Sequence, residues 1–511
     1  MSRHTAKLRS RYSLVGLQEA IAHIHFPPNQ PSLEVARHRL VFDECFYLQL
    51  RLLQRRHALR QIQRDALSTQ GALLEQFYQI LPFPLTNAQQ RVIAEILHDL
   101  AQPTPMNRLV QGDVGSGKTV VAVAAILAAI QSGCQAAFMS PTEVLAEQHY
   151  CNIAEWFKPL HLPVALLTGS TSPAQRQELH GKLRSGQLPL LIGTHALIQA
   201  SVTFHQLGLV VIDEQHRFGV QQRLKLQQKG KHPHMLNMTA TPIPRTLALT
   251  LHGDLDVSQI DELPPGRQAI QTQVFAEDQR TKAHDVIWEQ VMQGHQAYII
   301  LPLVEDSETM DLKSAVSEFQ HLQATIFPEF RLGLLHGRMS SAEKDAALKQ
   351  FRHCQTQILV STTVVEVGVD VPNATVMLIE HADRFGLSQL HQLRGRVGRG
   401  VAQAYCLLIN TSSAEATQQR LQVLEQSQDG FFIAERDLQL RGSGAILGTA
   451  QAGMPKIALA DLVNDAGILE QAREAAELVM RKGHALRCWE SLMTEMERRD
   501  RHFLDAGSAL N

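Results

Sequence analysis

Apolar residues in this chain gather in short blocks separated by helix-like stretches, and the series runs twice. Arg108-Leu109-Val110, Ala136 to Met139, Leu188 to Ile192 and Leu209 to Ile212 form the first set. Blocks this short, without hydrophobic–polar alternation, read as parallel strands covered on both faces. The punctuation Leu263-Pro264-Pro265-Gly266 ends that set. A second follows at Ala297 to Leu301, Leu332 to Leu335, Gln357 to Val360, Thr375 to Ile379 and Ala404 to Leu408. Strand and helix signals alternating in this way predict an α/β protein with two parallel-sheet units in tandem.

The flanks carry a different pattern. After the breaker Phe26-Pro27-Pro28-Asn29, a helix is predicted from Ser32 to about Leu67, with Leu48, Leu52, Leu59 and Ile62 at helical spacing. Leu81-Pro82-Phe83-Pro84 opens the next unit. From about Thr417 the chain reads as helical, interrupted by Arg441-Gly442-Ser443-Gly444. The predicted division is 1–80 helical, 81–265 and 266–425 as the two α/β units, and 426–511 mainly helical.

Composition narrows the class. The 511 residues are 44% hydrophobic and 19% charged, which excludes a disordered chain, a collagen-like fibre and a coiled-coil rod. A net charge of −2 excludes nucleic-acid binding through bulk positive charge and leaves only local patches. Residues 1–65 hold 11 Lys and Arg against five Asp and Glu, a net +6 that leaves −8 for the rest. The bland explanation, a solvated helix face, outweighs a phosphate or acidic-partner contact on charge alone.

The longest apolar run, Val120 to Ile130, has 11 residues and reads as a buried helix, since a membrane span needs about 20. No signal-peptide core follows Met1-Ser2-Arg3-His4, so a cytoplasmic protein without membrane attachment is expected. The six cysteines form no C-x-x-C pair and predict neither a zinc site nor a disulfide framework.

Two motifs carry chemistry. Gly112-Asp113-Val114-Gly115-Ser116-Gly117-Lys118-Thr119 matches G-x-x-x-x-G-K-[ST], with a predicted strand before it and a helix after it. Its glycines let backbone N–H groups face phosphate oxygens at a helix N-terminus. Gly112, Gly115, Gly117 and Lys118 are the candidate phosphate ligands for ATP, and Thr119 is a candidate ligand of Mg²⁺. Leu209 to Ile212 then ends in Asp213-Glu214-Gln215-His216. Asp213 is the second candidate Mg²⁺ ligand, and Glu214 is placed to polarise the attacking water.

These residues resemble the superfamily 2 helicases. Asp213 to His216 is similar to that superfamily's motif II, Thr239-Ala240-Thr241 to motif III, and Gln392-Leu393-Arg394-Gly395-Arg396-Val397-Gly398-Arg399 to motif VI. The resemblance implies two RecA-like domains. It also implies Gln89, in Thr86-Asn87-Ala88-Gln89, as the adenine reader and Arg396 and Arg399 as arginine fingers. Gln392 joins the catalytic set and Asp370 the nucleotide set on the same ground. Thr142, Thr168-Gly169-Ser170 and Gly193-Thr194-His195 match motifs that touch the phosphate backbone, where hydroxyls and glycines permit close approach. His216 is assigned by resemblance to couple the ATP site to the partner domain. With aromatics at 5%, tracking of duplex phosphates is favoured over base stacking.

Within the superfamily the chain resembles the RecG family of DNA branch-migration translocases. Arg108 to Gln111, Pro141 to His149, Asp213 to Gly219, Met238 to Thr246, Ser361 to Pro372 and Gly430 to Gly453 carry that likeness. The last segment is similar to the helical hairpin and loop shared with the Mfd translocases, which links ATP hydrolysis to DNA movement, and Arg441 is its candidate coupling residue. The resemblance implies a monomer acting on branched or duplex DNA at stalled forks and Holliday junctions, with ATP and Mg²⁺, and a single-stranded-DNA-binding protein as a partner. Such families begin with an OB-fold wedge. Residues 1–80 show no run of short strands, so a truncated product or a wedge on a separate chain is expected. Ser443, Ala445 and Ala450 depart from the family's loop. The alternatives are an Mfd-like translocase, disfavoured by Gln215-His216, and a DNA-binding remnant that hydrolyses ATP without productive fork unwinding.

Overall fold

The computed structural model describes residues 8–241, 255–264, 268–302, 308–362, 371–400, 402–441, 459–461, 464–481, 492 and 494–498. The chain forms two compact units, one of residues 1–65, 244–257 and 438–511, the other of residues 66–243 and 258–437. Among the described residues no helix is long and apolar enough to cross a membrane.

The larger unit contains two sheets. In the first, β1 (Asn107–Gly112), β2 (Gln135–Met139), β3 (Val164–Leu167), β4 (Leu190–Gly193), β5 (Leu207–Ile212), β6 (His234–Thr239) and β7 (Asp256–Ile260) lie in the order β3-β4-β2-β5-β6-β1-β7. In the second, β8 (Gln271–Ala276), β9 (Gln296–Ile300), β10 (Leu332–Leu335), β11 (Ile358–Ser361), β12 (Ala374–Ile379) and β13 (Tyr405–Asn410) lie in the order β10-β11-β9-β12-β13-β8. Strands β1 to β6 pair in parallel, as do β8 to β13. These are two RecA-like lobes, each with a hydrophobic core on both sheet faces.

Each apolar block of the sequence overlaps one strand. Four strands lack such a block, β3, β6, β7 and β8. All six positions of β6 are buried, yet it reads His-Met-Leu-Asn-Met-Thr. Its polar residues bond to neighbouring segments, as where the Met106 N–H donates to His234 Nδ1 (2.9 Å). At the sheet edge, β8 keeps only partial burial and so lacks an apolar run.

The long N-terminal helix is Gln30–Arg60, shorter than the predicted span. Nothing in Gln61 to Leu67 forbids a helix; packing ends it. The Leu67 N–H donates to the Leu100 carbonyl (3.0 Å), and Leu67, Leu74 and Phe77 enter the first lobe's core. In the smaller unit, Gln30–Arg60 packs on Ala466–Arg481, burying Ala36, Val41 and Cys45 on one side and Ala472, Ala475 and Ala476 on the other. Arg37 grips the buried Asp465 carboxylate with two nitrogens (2.6 and 2.7 Å). The N- and C-terminal helical segments, read separately from the sequence, therefore share one core.

The two lobes repeat one frame. In the first, β5 runs into Glu214, which takes a left-handed conformation (φ 49°), then a short 3-10 turn, Gly219 and the helix Val220–Gln227. In the second, β12 runs through Glu380 into His381 (φ 49°), a 3-10 turn, Gly386 and the helix Leu387–Arg394. The longest identical run at matching places is Arg-Phe-Gly, Arg217 to Gly219 and Arg384 to Gly386. Lys118 and Arg280 each open the helix that follows the corresponding strand, β1 and β8. In the second lobe Arg280 pairs with the buried Glu380 (3.2 Å), and Glu277-Asp278-Gln279 stands where the first lobe has its glycine-rich loop. Carboxylates there would repel a phosphate.

A buried glutamine ties each sheet to its turns in the same way. Gln135, opening β2, donates to the carbonyls of Leu183 and Leu188 (2.9 and 2.8 Å). It also accepts from the His205 and Gln206 N–H groups (2.7 and 3.0 Å). Gln296, opening β9, donates to Phe351 and Thr356 carbonyls (2.6 and 2.8 Å). Replacing either by leucine leaves buried carbonyls unpaired. Gln135→Leu and Gln296→Leu are each expected to cost about 2–4 kcal/mol. Urea unfolding followed with hydrogen exchange will show the loss of protection concentrated in the lobe that carries the change.

Candidate functional site

The P-loop connects β1 to the helix Lys118–Gln131. Gly115 and Gly117 take φ of 81° and 85°, a left-handed geometry that other residues adopt only with strain. Lys118 Nζ donates to the carbonyls of Gly112 and Asp113 (2.8 and 3.0 Å), and burial lowers its pKa despite the neighbouring carboxylates. Gln89, the expected adenine reader, is brought to this loop, but its amide is committed there. Nε2 donates to the Ser116 carbonyl (2.9 Å) and Oε1 accepts from Thr86 N–H (2.9 Å), closing a capping box on the helix Asn87–Leu100. Ser116 Oγ is buried with no partner among the described residues. Thr119 occupies the second position of the P-loop helix.

Asp213 and Glu214 follow β5, beside the P-loop strand's neighbour β6. Their charges diverge. Burial alone would raise Asp213, but a 2.8 Å bond to His149 Nε2, with the charges of His149 and Lys118, holds its carboxyl below the ordinary value. Burial and the adjacent Asp213 charge push Glu214 up. One acid is thus held toward its ionised form while the other is tuned toward accepting a proton. Glu214 is oriented by the Ala240 N–H (3.2 Å). His216 lies 3.5 Å from Thr239 Oγ1, and burial lowers its pKa to about 4, so it is neutral.

The second lobe closes on this surface. Gln392 Nε2 donates to Thr241 Oγ1 (2.7 Å), joining the motif VI glutamine to the motif III threonine. Arg396 is buried, and burial with the like charge of Arg399 takes its pKa to about 10, while Glu214 opposes the shift. It remains a cation at neutral pH. Arg399 is half-buried on the same turn. A Cβ on Gly395 would lie 2.8 Å from Val114 of the P-loop. Asp113 accepts from His391 Nε2 (3.1 Å) and from the Gly430 N–H (3.2 Å), and His391 Nδ1 meets Arg394 (2.9 Å). This knot between P-loop, motif VI helix and the helix Gly430–Arg441 has no sequence signature, because its members lie 278 and 317 residues apart.

The expected DNA-contacting residues group elsewhere on the same sheet edge. Thr142 follows β2, Thr168-Gly169 follows β3 and Thr194 follows β4. Thr142 caps the helix Glu143–Phe157, accepting from Leu145 N–H. Glu143 draws the next loop to it, accepting from Gly169 N–H (2.8 Å) and Ser170 Oγ (3.0 Å). The buried Thr194 N–H donates to the Leu167 carbonyl (3.4 Å). In the order β3-β4-β2-β5-β6-β1 the phosphate-backbone candidates thus take one half of the edge and the nucleotide candidates the other. Asp370, Ser443, Ala445 and Ala450 lie outside the described residues. Arg441 ends its helix, and only its backbone is described.

Comparison with known proteins decides the family. A DEAD/DEAH box helicase model matches residues 86–250, a helicase conserved C-terminal domain model 279–401, and a model for the C-terminal part of domain 3 of ATP-dependent DNA helicase RecG 427–496. The ATP-dependent DNA helicase RecG of Bacillus subtilis is 48% identical over 481 residues, covering 93% of this chain and 70% of that protein. The chain belongs to the RecG family. The Synechocystis RecG is 65% identical over 475 residues, 93% of this chain but 57% of that protein. A structure of RecG bound to a three-way DNA junction matches with a TM-score of 0.77 at 46% identity, over 91% of this chain and 61% of that one. The chain thus spans about 60% of several RecG relatives.

The Gly430 contact can be tested in a cycle. A methyl there collides with Asp113 and His391. Gly430→Ala is expected to cost about 1–3 kcal/mol, as overpacking does. In an Asp113→Ala background the same change should cost less than half as much, read as melting temperature. Equal costs in the two backgrounds would show that the two sites do not interact.

Proposed function

We propose that this chain is the motor of an ATP-dependent double-stranded DNA translocase that remodels branched DNA, stalled forks and Holliday junctions, in recombination and repair. The observation that supports the reading is the divided sheet edge, with the candidate nucleotide loops on one half and the candidate phosphate-backbone loops on the other. Membership of the RecG family and the likeness to a RecG bound to a three-way junction support DNA with a branch as the substrate.

The cradle fits ATP with Mg²⁺. Backbone N–H groups of a loop kept open by glycines, the unsatisfied Ser116 hydroxyl and Lys118 suit phosphates. Thr119 and Asp213 suit the cation, whose charge offsets that of the phosphates when it is bound. Lys118 exchanges its carbonyl partners for phosphate oxygens. Glu214, raised in pKa and fixed by Ala240, orients and deprotonates water. Arg396 and Arg399 add positive charge from the opposite lobe where negative charge grows. Gln392, held on Thr241, reports the nucleotide state to motif III.

The roles separate in variants. Lys118→Ala is expected to abolish hydrolysis and weaken nucleotide binding. Glu214→Gln should bind a fluorescent ATP analogue as the parent does, with turnover reduced by about 10²–10⁴. Arg396→Ala and Arg399→Ala should slow turnover by about 10³ or more with little change in affinity. Parent-like turnover in Glu214→Gln would refute the assignment.

A further inference from the structure

The segment Pro141 to His149 marks the family, yet its last residue has no part in the roles above. His149 sits two turns into the helix Glu143–Phe157, buried, with its ring against Phe138 (centroids 4.6 Å apart). Nε2 lies 2.8 Å from Asp213 Oδ2. Nδ1 is buried and finds no partner among the described residues. A carboxylate can only accept, so Nε2 carries the hydrogen that is donated to Asp213.

We propose that His149 is a positioning residue for Asp213, tying the orientation of the metal-binding carboxylate to the helix whose first turn meets the DNA backbone. This rests on the functional reading above. Asp213 has a short side chain with two equivalent oxygens, and its own backbone is pinned by the N–H bond to the Met139 carbonyl (2.9 Å). His149 claims one oxygen and so fixes which way the other faces. A group that orients a metal ligand in this manner commonly contributes 10- to 100-fold in metal affinity, by rough magnitude.

The same helix reaches the other half of the sheet edge. Thr142 caps it, and Glu143 in its first turn holds the Gly169 N–H and Ser170 hydroxyl. At about 1.5 Å per residue, His149 lies roughly 10 Å along the axis from Thr142. A helix that short moves as a rigid body. Phosphate contact at its N-terminus therefore shifts His149, and with it the Asp213 carboxylate. The path is a continuous chain of bonded and packed groups from the strand-end loops to the cation site.

The test uses the full chain with His149→Leu, His149→Gln and His149→Asn. Glutamine can place an amide N–H where Nε2 stands; asparagine is too short. The first readout is the Mg²⁺ concentration giving half-maximal binding of a fluorescent ATP analogue, which needs no turnover. The second is the ratio of duplex-stimulated to DNA-free hydrolysis. The leucine variant should need about tenfold more Mg²⁺ and lose most of the stimulation, and glutamine should restore both better than asparagine. If the leucine variant fails to fold, the glutamine-to-asparagine difference decides. An unchanged Mg²⁺ requirement, or equal behaviour of glutamine and asparagine, would overturn the proposal and leave His149 a packing residue. Hydrolysis indifferent to duplex in the parent chain would instead defeat the functional reading, while the Mg²⁺ titration would still judge His149.

Discussion

The structure turns on a place where a side chain cannot fit. Between the P-loop and the second lobe, Gly395 lies against Val114, and Gly430 lies against Asp113 and His391, with no room for a Cβ at either glycine. That approach puts Arg396 within electrostatic reach of Glu214 and Asp213, and brings Gln392 to Thr241. The P-loop is thus a joint as well as a phosphate cradle. Whatever reshapes it is felt by the motif VI helix and by the start of Gly430–Arg441, because Asp113 holds both.

The parallel sheet supplies the rest of the logic. Loops at the carboxyl ends of parallel strands share one edge, and that edge is where such folds place their ligands. In the first lobe it is divided between the loops proposed for nucleotide and those proposed for the DNA backbone, and the helix Glu143–Phe157 touches both halves. The second lobe repeats the frame with the chemistry removed. Arg280 and Glu380 pair with each other at the places where the first lobe has Lys118 and Asp213, the residues proposed for phosphate and cation. In the proposed reading the second lobe instead supplies Arg396 and Arg399 to the site on the first lobe.

Local chemistry was legible from the sequence, and tertiary chemistry was not. The P-loop, the paired acids and the apolar strands announce themselves because their residues are neighbours in the chain. His149 and Asp213 are 64 residues apart, and no spacing rule joins them. The fate of Gln89 was equally hidden, since its commitment to Ser116 depends on how the helix Asn87–Leu100 docks. β6 escaped notice because its polar residues are buried with their partners, and β8 because an edge strand needs no apolar run. The repeated frame of the two lobes was masked by sequence divergence, with no identical run longer than Arg-Phe-Gly at matching places. The smaller unit could not be foreseen because neither terminal segment buries its apolar face alone.

The most direct measurement is the rate of ATP hydrolysis by this chain at saturating ATP and Mg²⁺ as DNA is titrated, at one stated salt concentration. Linear duplex and a synthetic three-way junction should be compared with no DNA. A divided sheet edge with a helix across it predicts a saturable rise in rate with DNA, lost at high salt as phosphate contacts are screened. A rate that is the same with and without DNA, in a chain that still binds the junction, would contradict it.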